Sequence, residues 1–282
     1  MSQNYLSIYA KSFNWAGFFL PKSKYNNCST LYDFCRTVDN IADEEDNLDS
    51  KKKNFKDFKK RFYEKDFSSI KIRNMWQLIH EFSISTKIID DLFDGIETDL
   101  QEKVLLSNEK DLLIYSYRVA GTVGLMMAKI LKVKSNLALT SAINLGIAMQ
   151  LTNIARDVIE DSGRNRKYID NNFNKIKETI KLANSFYNSS FKSIKEIPIS
   201  CRFAILVARR VYRQIGNEIL KKRDFQDYKK SGKIFVTNLG KVKQTFLSIY
   251  DLCLLIFLQP DEQNLDIHHN EIKKEINLDE RL

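Results

Sequence analysis

The sequence predicts an all-α protein, and three observations carry that prediction. Only 9 Gly and 3 Pro occur in 282 residues, so the chain has few of the residues that break helices. Apolar residues recur at intervals of three and four through long segments, the repeat of a helix with one face turned to a core. No run alternates apolar and polar residues as a half-buried strand would, and no internal repeat is visible. A chain of this length can bury a sizeable core. Residues 1–260 are expected to form one domain, and 261–282, rich in Asp, Glu and Asn, a polar tail that is frayed or a detached helix.

The first helix is expected over Tyr5 to Leu20, stopped by Pro21, with Lys11 and Ser12 among the aromatics Tyr9, Phe13 and Trp15. A second runs from about Ser29 through TLYDFCRTVDNIADEED. There Leu31, Phe34, Val38 and Ile41 form the core stripe, while Tyr32, Arg36, Asp39 and Asp43 share another face. The next segment, KKKNFKDFKKRF, sets Phe55, Phe58 and Phe62 at helical spacing among lysines. It reads first as an amphipathic surface helix, with nucleic acid or an anionic membrane as alternatives. Helices follow over Met75 to Phe82 and Ile88 to Leu105. The second carries Asp90, Asp91, Asp94 and Asp99, expected to be a solvated face.

In LLIYSYRVAGTVGLMMAKIL, Gly121 and Gly124 with Ala120 and Ala128 reduce helix propensity, which implies close approach of another backbone or of a bulky ligand. Residues 142–168, AINLGIAMQLTNIARDVIEDSGRNRKY, form the organising stretch. Gly146, Gln150, Asn153, Asp157 and Asp161 share one face of a helix whose other positions are almost all apolar. A nearly all-apolar helix is buried, and buried carboxylates need partners. Helices continue over Lys175 to Ile194 and Ser200 to Arg223. A lysine-rich link, KKSGKIF, then leads to Phe246–Leu258, which is too short to span a bilayer and is expected to be a core helix.

The formal charge of +9 implies an anionic partner: nucleic acid, a membrane surface or a phosphate-bearing substrate. Cys28, Cys35, Cys201 and Cys253 have no CxxC spacing and read as core thiols of a reducing cytoplasm, and a zinc site is not expected. No basic region followed by an apolar run opens the chain, so no signal peptide is expected.

Taken together and in order, FCRTVDNIADE, YRVAGTVG and QLTNIARDVIED resemble the squalene and phytoene synthase family, the head-to-head prenyl transferases, with phytoene synthases the most similar. The resemblance extends from Lys11 to about residue 250. It implies an all-α isoprenoid synthase fold, a single helical bundle around a deep central cavity. Two departures stand out: Asn40 occupies a position where a second Asp often follows the first, and KYID replaces a segment that often holds proline.

On that resemblance, Asp39, Asp43, Asp157 and Asp161, with Asn153, are the expected metal ligands, and Tyr115 and Tyr212 line the reacting carbons. Four carboxylates facing one another need a cation: at about 5 Å each like-charged pair repels by roughly 3 kcal/mol at an effective dielectric near 20. Magnesium suits oxygen ligands and bridges carboxylates to phosphates, and manganese is a possible substitute. Lys11, Ser12, Arg36, Gln150, Asn153, Arg156, Arg166, Lys167 and Lys233, with Arg164, are the expected diphosphate ligands. The basic residues after Asp161 form a flap. Phe13, Gly17, Ser29, Val119 and Gly121 are expected along the prenyl-tail pocket, where the small Gly17 and Ser29 leave depth for a twenty-carbon tail.

The implied reaction joins two geranylgeranyl diphosphates into phytoene through a cyclopropyl diphosphate, with no NADPH. Alternatives are a squalene or dehydrosqualene synthase using farnesyl diphosphate, a non-catalytic binder of prenyl lipids, and a basic nucleic-acid binder, which leaves the acidic seam unexplained. Apolar substrates and the basic excess imply a cytoplasmic protein with peripheral contact at the inner membrane face. No nucleic-acid partner is expected, and oligomeric state is not legible.

Overall fold

A computed structural model describes residues 11–43, 47–106, 108–259 and 267–282, apart from the side chains of residues 11–13, 267 and 268. The expected roles of Lys11, Ser12 and Phe13 therefore lie outside the described residues. Helices α1 (Lys11–Gly17), α2 (Lys22–Asp43), α3 (Leu48–Tyr63), α4 (Ile70–Glu81) and α5 (Thr86–Thr98) make up the first half of the bundle. Helix α2 starts seven residues before the sequence suggested. Pro21 just precedes its first turn, where a missing N–H costs nothing, and the Pro21 carbonyl accepts from Tyr25 N.

Leu31, Phe34, Val38 and Ala42 are the buried stripe of α2. The ring of Phe34 packs with those of Phe58 and Phe62 from α3 and of Phe93 from α5, at centroid distances of 5.9, 5.5 and 6.3 Å. Phe55 and Phe62 are buried while Lys52, Lys53 and Lys56 are exposed, so α3 is the amphipathic surface helix of the first expectation.

After α5 the chain forms a two-residue strand, β1 (Val104–Leu105), then α6 (Glu109–Ser116), a π-helical turn (Tyr117–Gly121) and α7 (Thr122–Ile130). The helix expected to reach Leu105 ends at Thr98, and the one expected over 112–131 is divided by the π turn. The organising helix, α8 (Asn136–Gly163), is capped by Ser135 Oγ on Ala138 N. It is 28 residues long and packs against α9 (Phe173–Ser189), α7, the π turn and α10 (Ile199–Leu220). By length and apolarity α8 could cross a membrane, but most of it is buried inside the bundle.

Two glycines let α8 seat so closely. A Cβ on Gly146 would lie 2.2 Å from the Ala120 carbonyl oxygen, and one on Gly124 would lie 2.3 Å from that of Ala142. The small residues thus serve backbone contact between α8 and the segment of the π turn and α7.

Beyond α8, a second two-residue strand, β2 (Arg166–Lys167), pairs in parallel with β1. The chain continues through α9, a 3-10 turn (Lys192–Glu196), α10, α11 (Phe225–Lys230), α12 (Asn238–Phe257), α13 (Ile267–Lys273) and a last 3-10 turn (Leu278–Glu280). Two expectations are corrected here. Residues 267–282 are not detached: α13 packs on α6, Ile272, Ile276 and Leu278 are buried, and Arg281 grips buried Asp91 with contacts of 2.9 and 3.1 Å. Helix α12 is not a core helix, since Phe246, Tyr250, Ile256 and Phe257 are exposed.

Candidate active site

The face of α2 that carries the first acidic motif and the polar seam of α8 meet at one cavity of about 280 Å³. Tyr32, Cys35, Arg36 and Asp39 line it from α2, and Gln150 and Asn153 from α8. Its remaining wall is almost wholly apolar: Val119, Val123, Met127, Leu131, Val133, Leu145, Met149, Ile194, Ile197 and Ile205, with Tyr115 and Tyr212. A polar end and a long apolar interior match an amphiphilic ligand with a charged head.

Asp39, Asp43 and Asp157 are each paired with a base. Arg36 Nη1 lies 2.5 Å from Asp39 Oδ2 and its Nη2 3.9 Å from Asp43. Arg166 Nη1 donates to Asp43 at 2.7 Å and Arg164 lies 3.3 Å from the same carboxylate. Arg156 donates to both oxygens of Asp157 at 2.8 and 2.5 Å, and Lys233 lies 3.6 Å from Asp157 and 2.8 Å from Glu160. The loop after α8 thus closes over the end of α2. Its reversal is made at Asn165, whose φ of 58° is a left-handed conformation that asparagine tolerates well.

Burial, reinforced by Asp43, pushes the Asp39 carboxyl up to about 6, although 38% of its side-chain surface remains accessible. Burial, and then Asp157, pushes Asp161 up to about 7. Both shifts mark sites where one more negative charge is disfavoured and a cation is favoured. Among the described residues, no three acidic, His or Cys side chains stand grouped as a metal site. Arginines occupy the carboxylates of Asp39, Asp43 and Asp157. The donor set still fits a hard divalent cation, being all carboxylate and amide oxygen. The Asn153 Oδ1 atom is buried and has no hydrogen-bond partner.

Tyr32, Tyr115 and Tyr212 line the interior, and Tyr168 backs Tyr115. Tyr212, on α10, is pushed by burial up to about 12. Tyr115 is more tightly held. Its hydroxyl donates to Asp99 Oδ2 at 2.8 Å and lies 3.0 Å from the Tyr168 hydroxyl, which itself donates to Asp99 Oδ1 at 2.6 Å. The two rings stack at 4.7 Å. Burial holds both phenols well above their ordinary range, so both are neutral.

Asp99 was expected on a solvated face, and so was Asp91. Both are buried, and this expectation is corrected. Asp99 is reached by tyrosines 16 and 69 residues away, while Asp91 is held by Arg281 and by Tyr117, whose hydroxyl donates at 2.7 Å. Asp99 and Tyr168 are residues beside the site that the sequence did not single out, whereas Tyr32, on the face of Arg36 and Asp39, lines the cavity. The local signal for Asp99 is the set Leu92, Ile96 and Leu100 beside it.

Other expected residues fall elsewhere. Val119 lines the cavity, whereas Gly17 and Ser29 are not among its lining residues. Gly121 packs against Tyr117 and Ile143. Lys167 turns away to Asp170 at 2.7 Å, because successive residues of a strand point to opposite faces and Arg166 takes the inner one.

The family model for squalene/phytoene synthase matches residues 7–175, the stretch that holds both acidic helices. The chain belongs to this family. Its relatives include a phytoene synthase of Pseudescherichia vulneris, 34% identical over 157 residues, which are 48% of this chain and 50% of that one. A 15-cis-phytoene synthase of Enterobacter agglomerans is 37% identical over 135 residues, 39% of this chain and 45% of that one. The chain spans about half the length of these curated relatives. The fold is similar to a dehydrosqualene synthase crystallised with ligand, at a TM-score of 0.69 and 25% identity over 88% of this chain and 94% of that one. A squalene synthase of Alicyclobacillus acidocaldarius has the same fold at a TM-score of 0.65 and 17% identity, over 80% and 92% of the two chains.

Proposed function

We propose that the protein is a magnesium-dependent head-to-head prenyl transferase that joins two geranylgeranyl diphosphates into phytoene. The observation that supports this reading is an apolar cavity lined by Tyr32, Tyr115 and Tyr212 whose polar end carries Arg36, Asp39, Gln150 and Asn153, with the ion-paired acids Asp43 and Asp157 on the same two helices. Asp39, Asp43, Asp157, Asp161 and Asn153 would hold magnesium. When bound, magnesium neutralises the diphosphates and eases departure of diphosphate from an allylic carbon.

Asp39, Asp43 and Asp157 are each ion-paired with an arginine. On binding, the carboxylates would turn to the cation while Arg36, Arg156, Arg164 and Arg166 turn to phosphate oxygens, so charge stays paired throughout. Arginine suits this exchange because its fork matches carboxylate and phosphate alike. Lys233, already beside Asp157, adds a cation from the link before α12.

The apolar walls exclude water from an allylic cation. The cation would be attacked by the double bond of the second substrate, and loss of a proton from the resulting cation would close the ring to a cyclopropyl product that still bears one diphosphate. Tyr115 and Tyr212 present ring faces able to stabilise positive charge. Asp99 and Tyr168 fix the orientation of the Tyr115 hydroxyl. Loss of the second diphosphate, rearrangement and loss of a proton then yield phytoene without a reductant.

The preference for twenty-carbon substrates rests on relatives named phytoene synthases, since Gly17 and Ser29 do not line the cavity. A second reading, condensation of farnesyl diphosphate to squalene or dehydrosqualene, is favoured by the likeness to a dehydrosqualene synthase over most of both chains. Incubation of purified protein with geranylgeranyl or farnesyl diphosphate, with and without magnesium and NADPH, separates the two by product mass. Absence of turnover in every arm would overturn both.

A further inference from the structure

Helix α12 is built inside out. Its inner face buries Lys241, Gln244, Ser248 and Asp251, with Leu255 as the apolar exception. Its outer face presents Leu239, Val242, Phe246, Ile249, Tyr250, Ile256 and Phe257. Phe246 is 69% exposed and Phe257 82%. Steps of three and four place these side chains in one stripe, about 27 Å long from Leu239 to Phe257. Phe235, in the link before the helix, continues it.

The orientation is locked from within. Arg210 holds Asp251 through two contacts of 2.5 Å, and Gln214 Oε1 accepts from Gln244 Nε2 at 3.0 Å. Rotation of the helix to hide its apolar stripe would strand the Asp251 charge, so the stripe is held outward, and a continuous exposed apolar patch of this kind marks an interaction surface.

The charges around the stripe suit lipid. Residues 234–259 contain one acid, Asp251, and it is buried. Lys243 is exposed on the helix, and Lys195 closes the far end by donating to the carbonyls of Ile256 and Leu258 at 3.2 and 2.9 Å. An apolar stripe between ammonium groups is the arrangement of a helix lying in an anionic membrane surface. The stripe is also near the site: Ile194, Ile197 and Ile205 line the cavity and pack with Leu252, Leu255 and Leu258 of this segment. Those side chains and the body of α12 separate the apolar end of the cavity from the stripe.

We propose that α12 lies flat in the surface of an anionic lipid bilayer and that prenyl chains pass between bilayer and cavity beside it. The passage of prenyl chains rests on the function proposed above, whereas the docking does not.

The test is flotation of the full-length protein with phosphatidylcholine vesicles with and without phosphatidylglycerol, alongside light scattering. The parent protein should float with phosphatidylglycerol vesicles, F246S/F257S should lose about tenfold or more of that affinity, and Lys243→Glu should lose the dependence on anionic lipid. F246S/F257S should keep its helical circular dichroism and its turnover in detergent micelles, while slowing on substrate embedded in vesicles. Failure of the parent to float, or flotation of F246S/F257S equal to the parent, would overturn the docking. So would a dimer that F246S/F257S dissociates with flotation unchanged, since the stripe would then cover a second copy. If the parent floats but is inert in micelles, the docking stands and the proposed reaction falls.

Discussion

Helices α8 and α12 are both long and both apolar, yet they stand in opposite relation to the bundle. Helix α8 buries Ile143, Ile147, Leu151, Ile154 and Val158 and turns Gln150 and Asn153 to the cavity. Helix α12 buries Lys241, Gln244, Ser248 and Asp251 and leaves its large apolar side chains outside. The contrast shows that apolar content does not decide which face turns inward. Polar partners on neighbouring elements do: Arg209 and Arg210 of α10 fix Asp251 inside, and Arg164 and Arg166 of the flap tie the end of α8 to Asp43 of α2, while Lys233 reaches Asp157 from the link before α12. In both helices a few charged groups set the orientation, and apolar burial follows.

The contrast is broken most forcefully at the polar end of α8. Asp157→Ala should lower turnover by about a thousandfold or more, an effect of roughly 4 kcal/mol on the barrier, while helical circular dichroism is kept. Asp39→Ala should do the same from the facing helix. Steady-state rates at saturating magnesium read both, and near-normal turnover in either would remove that acid from the metal set. In the apolar stripe of α8, Leu151→Ala deletes a fully buried side chain and should cost about 2–5 kcal/mol of stability. Gly146→Ala drives a Cβ against the Ala120 carbonyl oxygen and should cost about 1–3 kcal/mol as the two segments separate. Urea titrations measure both.

The sequence made the acidic helices legible because helical periodicity is local. Asp39 and Asp43 sit a turn apart within one segment, and Gln150, Asn153, Asp157 and Asp161 within another, so spacing alone places each set on one face. What it concealed depends on distant partners. Asp90, Asp91, Asp94 and Asp99 look alike in sequence, and only Tyr115, Tyr117, Tyr168 and Arg281 distinguish the buried two. Arg166 and Lys167 are equally basic neighbours, and the pairing of β2 with β1 turns one to Asp43 and the other to Asp170. The outward face of α12 was hidden for the same reason, because Arg209 and Arg210 lie some 40 residues before Asp251.

Acidity offers a milder probe of the α8 side. Asp39 and Asp161 are raised to about 6 and about 7 in the folded protein, against about 4 in an unfolded chain. The folded state therefore holds more protons between those values. The stability these groups contribute is fully present below about pH 4 and is lost as pH rises through about 6 and 7. Thermal unfolding without divalent cations should show a midpoint that falls as pH rises through this window. Asp161→Asn should flatten the upper part of the fall, and a variant as steep as the parent would detach the effect from that carboxyl.

The smallest effect is expected on the outside of α12, and its smallness carries information. Tyr250→Ser removes a large apolar side chain from a helix as apolar as α8, so a rule based on composition alone would give it the cost of Leu151→Ala. Tyr250 is 64% exposed, and in dilute buffer it has little contact to lose. Stability should change by no more than about 0.5 kcal/mol, and replacing an exposed apolar group with a hydroxyl can reduce aggregation at the same time. Urea titration of the two variants side by side sets a difference of several-fold in energy against nearly equal apolarity. A cost for Tyr250→Ser equal to that of Leu151→Ala would mean that the outer face of α12 is already covered in solution, and the inside-out description of this helix would have to be abandoned.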